Sequence, residues 1–302
     1  TEGLCKLGVR TVGSWANEVG APEYLIGELD KIRASAAPGV SVELARHTGS
    51  GAFNADFLGG LINVYENVTS VLCRISLSDD PSSRHQALLI NAHYDTAPSS
   101  PGASDDGTQV GVMVELAHIL SKDPSLLSKG SVVLIFNGAE ETNWQAAHSF
   151  VTSPNPLEPA GGTTELSEPR DWKAGIKAVL NLEAIGTGGR EYLVRTGKGA
   201  GWISGLYSRA VNRPRGSVLA QEIFDSGIFP GQTDFVVFRD DGGWQGLDIV
   251  LVEDGYAYHT PHDNPSQVKN GVVLRLGGTT VDVTVALVKE MQGYDGADSR
   301  YH

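Results

Sequence analysis

Residues 87–95 read ALLINAHYD, and this stretch decides the fold class. Its first four residues form an apolar run that is continuous rather than alternating. Such a run is typical of a strand in a sheet that is covered on both faces. The run leads into His93 and Asp95, whose side chains can bind metal or carry protons. This combination indicates an α/β protein, because ligands bind at the carboxyl ends of the strands in an open α/β sheet.

Similar apolar runs recur along the chain and alternate with helical stripes of apolar residues. We predict further strands at Val40–Ala45, Leu61–Glu66, Val71–Leu77, Ser131–Phe136, Lys177–Leu182, Glu191–Arg195 and Leu247–Val252. We predict helices at Val12–Ile32, Val110–Leu120, Trp144–Val151, Trp202–Val211 and Val272–Met291. This alternation predicts a three-layer α/β/α sandwich with a mixed, mostly parallel central sheet.

The length of 302 residues allows a single domain, and we predict one domain over residues 1–302. Residues 1–38 are predicted to form a helical segment packed on it. Residues 153–171 are rich in Pro, Gly, Ser and Thr and are predicted to be a surface loop. Cys5 and Cys73 are too few for a disulfide framework, and two buried thiols or a single disulfide both remain open.

The net charge of −13 excludes nucleic acid as a partner, because so acidic a surface repels phosphate backbones. The longest apolar runs, such as residues 132–136, are far shorter than the ~20 residues that cross a bilayer. One glycosylation sequon is present, at Asn67-Val68-Thr69. Asn264-Pro265-Ser266 is not a sequon, because its second residue is proline.

Residues that can bind metal follow four of the predicted strands. These residues are His93, the pair Glu140–Glu141, Glu183 and His259, and the loop of residues 102–107 adds Asp105 and Asp106. Alone, each has a simpler interpretation, such as a surface turn or a helix N-cap. Together, the carboxylates would repel one another unless cations lay among them. Histidine with carboxylate is a ligand set that suits zinc, so the sequence predicts a zinc site.

The order of these motifs resembles the co-catalytic di-zinc aminopeptidase family. The motifs are H-x-D at residue 93, D-D-G at residue 105, E-E at residue 140, a strand-end acid at residue 183 and Y-H-T-x-x-D at residue 258. The similarity is closest to the membrane-anchored branch, the endoplasmic reticulum metallopeptidases and vacuolar membrane proteases. The segments that resemble this branch are Asn181–Gly186, Ala220–Ser226, Thr233–Phe235 and Tyr256–Asn264. This resemblance implies the zinc aminopeptidase fold, which is also described as phosphorylase/hydrolase-like.

The resemblance also implies which residues bind two zinc ions. Asp105 bridges them, His93 and Glu183 complete one site, and Glu141 and His259 complete the other. In the wider family the strand-end ligand is usually Asp, whereas the membrane-anchored branch carries Glu, as Glu183 does here. Relatives show a cis peptide bond after the bridging aspartate, which implies one between Asp105 and Asp106.

Further roles follow from the same resemblance. Glu140 is the general base that takes a proton from a metal-bridging water, and Tyr258 is a candidate donor to the oxyanion. Asp95 is expected to orient the ligand His93 without binding metal itself, and Asp263 is expected to orient His259 in the same way. Asp234, in the Thr233–Phe235 motif, is a further candidate for lining the site.

The function implied is that of a zinc-dependent aminopeptidase that hydrolyses peptide substrates at their N-termini. One alternative is a glutaminyl-cyclase-like acyltransferase, which shares the fold and nearly the same ligands but uses one zinc ion. Another is a non-catalytic receptor-type ectodomain, although such relatives lack ligands or the base and this chain retains all six. The resemblance implies a parent chain anchored in a membrane, with this domain on the luminal side of the endoplasmic reticulum or, alternatively, at the vacuole.

Overall fold

The computed structural model describes residues 1–55, 60–80, 85–127, 129–154, 157–163, 165–166, 172–197, 199–228 and 231–291. Over these ranges the chain forms a mixed sheet of eight strands with helices on both faces. The predicted α/β/α sandwich is thereby confirmed. No helix of the described ranges is long and apolar enough to span a membrane.

The four strands in the middle of the sheet run parallel to one another. The strands are β1 Val40–Ala55, β2 Leu61–Leu77, β3 Ala87–His93, β4 Ser131–Asn137, β5 Glu158–Pro159, β6 Ile176–Ala184, β7 Tyr192–Thr196 and β8 Gln245–Leu251. Their order across the sheet is β5-β1-β2-β4-β3-β6-β8-β7. The pairings of β4 with β3, β3 with β6 and β6 with β8 are parallel, and the outer pairings are antiparallel. The carboxyl ends of β4, β3, β6 and β8 therefore lie together along one edge.

Helices cover both faces of the sheet. They are α1 Glu2–Cys5, α2 Ala21–Ala34, α3 Thr108–Lys122, α4 Gln145–Thr152, α5 Gly201–Ala210, α6 Val218–Asp225, α7 Phe235–Asp240 and α8 Val272–Met291. Helices α2, α3, α5 and α8 pack in the larger apolar core, and α4 and α7 pack in the core on the opposite face. Every residue of β3 and β4 is buried, because alternate side chains enter the two cores. This burial explains why their sequences are continuous apolar runs.

Several predicted boundaries differ from those of the structure. The two strands predicted over residues 61–77 are one strand, β2, which pairs with β1 on both sides of a register shift between Gly49 and Gly51. The predicted N-terminal helix consists of a wide turn, Ala16–Gly20, followed by α2. Helices α6 and α7 were not predicted. The predicted loop of residues 153–171 contains the short strand β5, and its residues 155–156, 164 and 167–171 lie outside the described ranges.

The two cysteines are both free, so the disulfide alternative is wrong. Cys73 lies in the middle of β2 and is fully buried, and burial raises the pKa of its thiol. Cys5 lies at the end of α1 and is half-buried, and burial raises the pKa of this thiol as well.

Candidate metal centre

The parallel strands bring the predicted site residues to one edge of the sheet. His93 is the last residue of β3 and pairs in register with Asn137, the last residue of β4. Glu183 lies near the end of β6, opposite Val250 of β8. The segments that follow β4 and β8 carry Glu140–Glu141 and His259. Residues that are far apart in sequence therefore meet because parallel neighbours end together.

The first cluster forms around His93, which is buried. Its Nε2 lies 3.0 Å from Oδ1 of Asp105 and 3.3 Å from Oε1 of Glu183. Asp106 is also buried and belongs to this cluster, and its Oδ2 accepts the main-chain N–H of His93 at 3.3 Å. One imidazole and three carboxylates thus offer ligand atoms to a common point.

The second cluster forms around His259, whose side chain is partly exposed. Its Nε2 lies 3.1 Å from Oδ2 of Asp105 and 3.0 Å from Oε2 of Glu141. Asp105 belongs to both clusters and directs one oxygen toward each histidine. A carboxylate in this position can bridge two cations, and two-metal hydrolases hold theirs about 3.5–4 Å apart.

The loop that carries Asp105 requires its glycine. Gly102 has φ +59°, and a Cβ atom there would lie 2.2 Å from Cγ2 of Thr96 and 2.6 Å from the carbonyl oxygen of Asp105. A larger residue at this position would collide with the main chain of Asp105. The peptide bond between Asp105 and Asp106 is cis, as predicted.

Asp95 holds two of the strand-end segments together. Its carboxylate accepts the main-chain N–H groups of Glu140 and Glu141, each at 3.0 Å. Nδ1 of His93 lies 3.1 Å from the main-chain oxygen of Asp95 and 3.4 Å from its Oδ1. Asp95 therefore contacts His93, as the sequence suggested, and it also fixes the turn that carries the Glu140–Glu141 pair.

Asp263 was predicted to orient His259, and the structure places it elsewhere. Its carboxylate accepts the N–H and O–H of Ser104, at 2.8 and 2.7 Å, and the N–H of Asp105 at 3.1 Å. Within the described ranges it makes no hydrogen bond to His259. A carboxylate accepts several donors at once, so Asp263 anchors the loop that carries Asp105 instead.

We expect Asp263→Asn to weaken zinc binding without unfolding the protein. Both carboxylate oxygens of Asp263 accept hydrogen bonds from Ser104 or Asp105. An asparagine replaces one of these oxygens with an N–H₂ group, which cannot accept, so at least one of the hydrogen bonds is lost. Substitutions of groups that orient metal ligands typically cost about 10- to 100-fold in metal affinity. Zinc titration against a competing chelator measures the affinity, and His262→Asn, at the exposed neighbouring residue, is the control. An unchanged affinity would show that the Asp105 loop needs no such anchor.

The adjacent glutamates Glu140 and Glu141 have different surroundings. Glu141 accepts the N–H of Ala97 at 2.7 Å through Oε1 and faces His259 through Oε2. Within the described ranges the carboxylate of Glu140 makes no hydrogen bond. Burial, together with the charge of Glu183, raises its pKa well above the ordinary value, so this carboxylate has a high proton affinity. Gly138 precedes the pair, and a Cβ there would lie 2.5 Å from the carbonyl oxygen of Thr69.

The aromatic ring of Tyr258 stacks on the imidazole of His259. The two ring centroids are 3.6 Å apart, and the planes are inclined by 19°. Burial raises the pKa of Tyr258, and the nearby carboxylates of Asp105 and Glu183 raise it further. Tyr258 therefore keeps its proton and is available as a hydrogen-bond donor beside the two clusters.

The pKa values of the site residues are shifted because several carboxylates lie close together. Burial and the charge of Asp105 raise the pKa of Glu141 to about 7. Burial opposes protonation of His259, but hydrogen bonds to Asp105 and Glu141 outweigh it and raise its pKa to about 10. Burial likewise opposes protonation of His93, and the charge of Glu183 with neighbouring hydrogen bonds raises its pKa well above the ordinary value. Positive charge is thus strongly favoured at both clusters.

Asp234, which the sequence offered only as a candidate, lies in a polar network beneath the site. Its Oδ2 accepts Nδ2 of Asn91 at 2.9 Å and Nδ2 of Asn137 at 2.7 Å. Asn91 also donates to Oδ1 of Asn181 at 2.7 Å. Burial raises the pKa of Asp234 to about 8. Asn91 lies two residues before His93, and Asn181 lies two residues before Glu183. Side chains two residues apart on a strand lie on the same face, so this spacing was the sequence signal for a polar network beside the site.

The N-terminal segment contributes two residues that sequence reasoning missed. The guanidinium of Arg10 is buried and donates to the main-chain oxygens of Tyr94, at 2.6 Å, and Gly102, at 3.2 Å. Asn17 donates to the main-chain oxygen of Gly138 at 2.8 Å. Both contacts lie beside segments that carry the clusters. The partners of Arg10 and Asn17 lie more than 80 residues away in sequence, so no local pattern indicated these contacts.

Two groups of imidazole and carboxylate ligands share one aspartate at the carboxyl edge of a mixed α/β sheet, and this arrangement defines the class of two-metal hydrolase sites. The chain belongs to Peptidase family M28, whose sequence profile matches residues 74–284.

Relatives with established names resemble the chain over most of its length. The mouse (Mus musculus) endoplasmic reticulum metallopeptidase 1 is 36% identical over 296 residues, which are 97% of this chain and 30% of the relative. The vacuolar membrane protease of Yarrowia lipolytica is 30% identical over 240 residues, which are 79% of this chain and 22% of the relative. The predicted resemblance to these two groups is confirmed.

Solved structures share the fold at low sequence identity. A zinc aminopeptidase from Bacillus subtilis superposes with a TM-score of 0.61 at 15% identity and covers 98% of this chain and 94% of its own. A glutaminyl cyclase from Porphyromonas gingivalis gives a TM-score of 0.61 at 17% identity and covers 93% of both chains. The fold alone therefore does not separate the two activities.

Proposed function

We propose that residues 1–302 form one peptidase domain, a zinc-dependent aminopeptidase that removes residues from peptide N-termini. The observation that carries this proposal is the position of Asp105, with one carboxylate oxygen toward each of two histidine-containing clusters. Membership of Peptidase family M28 supports the reaction class, and the names of the relatives support a metallopeptidase.

The donor groups suit two zinc ions. His93, Asp105 and Glu183 would hold one ion, and Asp105, Glu141 and His259 would hold the other. Each set consists of imidazole nitrogen and carboxylate oxygen, which zinc binds well. When bound, zinc supplies Lewis acidity toward a peptide carbonyl and lowers the pKa of water.

The surrounding residues of the chain supply the remaining chemistry. Glu140 accepts the proton of the attacking water, because its carboxylate makes no hydrogen bond in the described ranges and lies next to Glu141 without belonging to either cluster. Tyr258 keeps its proton and donates to the developing oxyanion. The acidic edge of the sheet attracts the α-ammonium group of a peptide, which favours cleavage at the N-terminus.

A glutaminyl-cyclase-like acyltransferase is the competing function, since the cyclase fold is equally similar. The shared Asp105 favours two metals over one, and a single zinc ion at saturation would favour the cyclase. A receptor-type ectodomain without activity is disfavoured, since the chain carries Glu140 beside two groups of side chains that could bind metal.

Metal analysis of the purified protein, combined with a panel of aminoacyl fluorogenic substrates, tests the proposal. We expect about two zinc ions per chain and release of the fluorophore only from substrates with a free amino group. One zinc ion together with cyclisation of N-terminal glutamine would replace the proposal with the competing function.

The parent protein is proposed to be membrane-anchored, with this domain in the lumen of the endoplasmic reticulum. The chain spans about 30% of the length of the endoplasmic reticulum metallopeptidases that it matches. The vacuolar relatives make the vacuole membrane the alternative location. Peptides are the proposed partners, and the net charge of −13 argues against nucleic acid.

We expect Asn67 to carry a glycan when the protein is made in the secretory pathway of a eukaryotic host. Asn67 is exposed and begins the Asn67-Val68-Thr69 sequon. Mass spectrometry before and after endoglycosidase treatment measures the modification, and Asn67→Gln should remove it. Unmodified Asn67 in such material would contradict the luminal placement.

A further inference from the structure

A cavity of about 890 Å³ lies on the same edge of the sheet as the metal centre. It is bounded by Gly189 and Arg190 in the segment after Glu183, by Asp254 in the segment before His259, and by the first half of α8. We call it the arginine cavity. None of its lining residues belongs to the two metal-ligand clusters.

Four arginines around this cavity lack carboxylate partners. The basic residues that line it are Arg190, Arg213, Arg215, Lys269 and Arg275, and the acidic residues that line it are Glu191, Glu253, Asp254 and Asp282. Lys269 forms an ion pair with Asp254 at 3.0 Å. Within the described ranges, none of the four arginines forms an ion pair. The chain has 36 acidic and 23 basic residues, so unpaired arginines gathered at one cavity are unexpected.

Main-chain carbonyls hold two of these arginines in place. Arg275 donates to the carbonyl oxygen of Gly189 at 2.7 Å, and Arg190 donates to that of Arg213. A carbonyl fixes a guanidinium but does not cancel its charge. Of the four acids of this cavity, Glu191 is buried and accepts the hydroxyl of Thr279 at 2.6 Å, and Asp254 is paired with Lys269. The arginines therefore retain the capacity to bind an anion, and the planar guanidinium suits carboxylate groups.

The cavity is within reach of a peptide bound at the metal centre. Asp254 precedes His259 by five residues, which span at most about 18 Å when fully extended. An extended peptide advances about 3.3 Å per residue. A peptide with its N-terminus at the clusters reaches the cavity within about six residues.

We propose that the arginine cavity binds the acidic side chains of a peptide substrate within about six residues of its N-terminus. This inference rests on the proposed aminopeptidase function, and it adds a preference for acidic peptides. The volume of the cavity exceeds that of a single small anion and suits several residues of a peptide.

The test compares hexapeptides that share their first three residues and carry Glu or Gln at the last three. We expect the acidic peptide to have a KM about tenfold lower with kcat unchanged, because several ion pairs form away from the reacting bond. Raising the ionic strength should reduce this difference. Equal KM values for the two peptides would overturn the inference.

Charge reversal at the rim gives the decisive variant. Arg213 and Arg215 are exposed, and only their main-chain atoms form hydrogen bonds in the described ranges. We expect Arg213→Glu combined with Arg215→Glu to abolish the preference for the acidic peptide. Arg209→Glu, at an exposed residue of α5 that does not line the cavity, should retain it. A preference that survives the double substitution would refute the role of the cavity.

Two further measurements separate this inference from the proposed function. An aminoacyl fluorogenic substrate is too short to reach the cavity, so its hydrolysis tests the aminopeptidase activity alone. An N-acetylated acidic hexapeptide has no free amino group, and its binding by calorimetry tests the cavity without turnover. Binding that the double variant loses supports the inference, and an absence of binding to the unmodified protein overturns it.

Discussion

Asp105→Ala is expected to remove both metal ions and nearly all activity. The carboxylate of Asp105 approaches His93 with one oxygen and His259 with the other, so among the described residues it is the one side chain that belongs to both clusters. Its loss leaves each cluster with fewer ligands. Metal ions contribute several kcal/mol to such reactions, which corresponds to a fall in turnover of about 10³-fold or more. Metal content by mass spectrometry, with turnover measured in parallel, checks the result.

Two further variants test whether the effect of Asp105→Ala comes from the two clusters. Asp79→Asn, at an exposed residue in the turn after β2 and at the edge of the sheet opposite the clusters, should leave both metal content and turnover unchanged. His93→Ala, which removes a ligand of one cluster alone, should also lose metal together with activity. If Asp105→Ala retained a full complement of zinc, the two-metal proposal would be wrong.

The strand-end residues of the site could be predicted because their signal is local. An apolar run shows where a buried strand ends, and a parallel sheet brings such ends together. His93 is the last residue of β3, Glu183 lies near the end of β6 and Glu141 follows β4. The structure brings these three side chains to the same edge of the sheet. The apolar runs likewise located every long strand of the sheet, although the bulged pairing of β1 with β2 hid the continuity of β2.

The residues that support the site could not be predicted in this way, because their partners are distant in sequence. Asp263 anchors Ser104 and Asp105, more than 150 residues away, and was assigned to its near neighbour His259 instead. Arg10 contacts the main chain after His93 across 84 residues. A single sequence shows that such a polar side chain exists, but only the packing of the elements decides which backbone groups it satisfies.

Glu140→Gln and Glu141→Gln are expected to fail in different ways, although the two residues are adjacent. Glu141 faces His259 at 3.0 Å and belongs to the second cluster, whereas Glu140 belongs to neither cluster. Glutamine keeps the size of Glu140 but cannot accept the proton. We therefore expect Glu140→Gln to keep its zinc and to lose turnover by roughly 10²–10⁴-fold, the usual contribution of general-base catalysis.

For Glu141→Gln we expect loss of zinc from the second cluster, because an amide oxygen is a weaker ligand than a carboxylate. Added zinc should restore part of the activity of Glu141→Gln and none of that of Glu140→Gln. This rescue distinguishes a weakened ligand from a missing base, since the first defect depends on metal concentration and the second does not. Asp95 holds the main-chain N–H groups of both glutamates in the same turn, so the two variants differ only in which side chain is changed. Identical metal content and identical rescue in the two variants would therefore mean that base and ligand have been assigned wrongly.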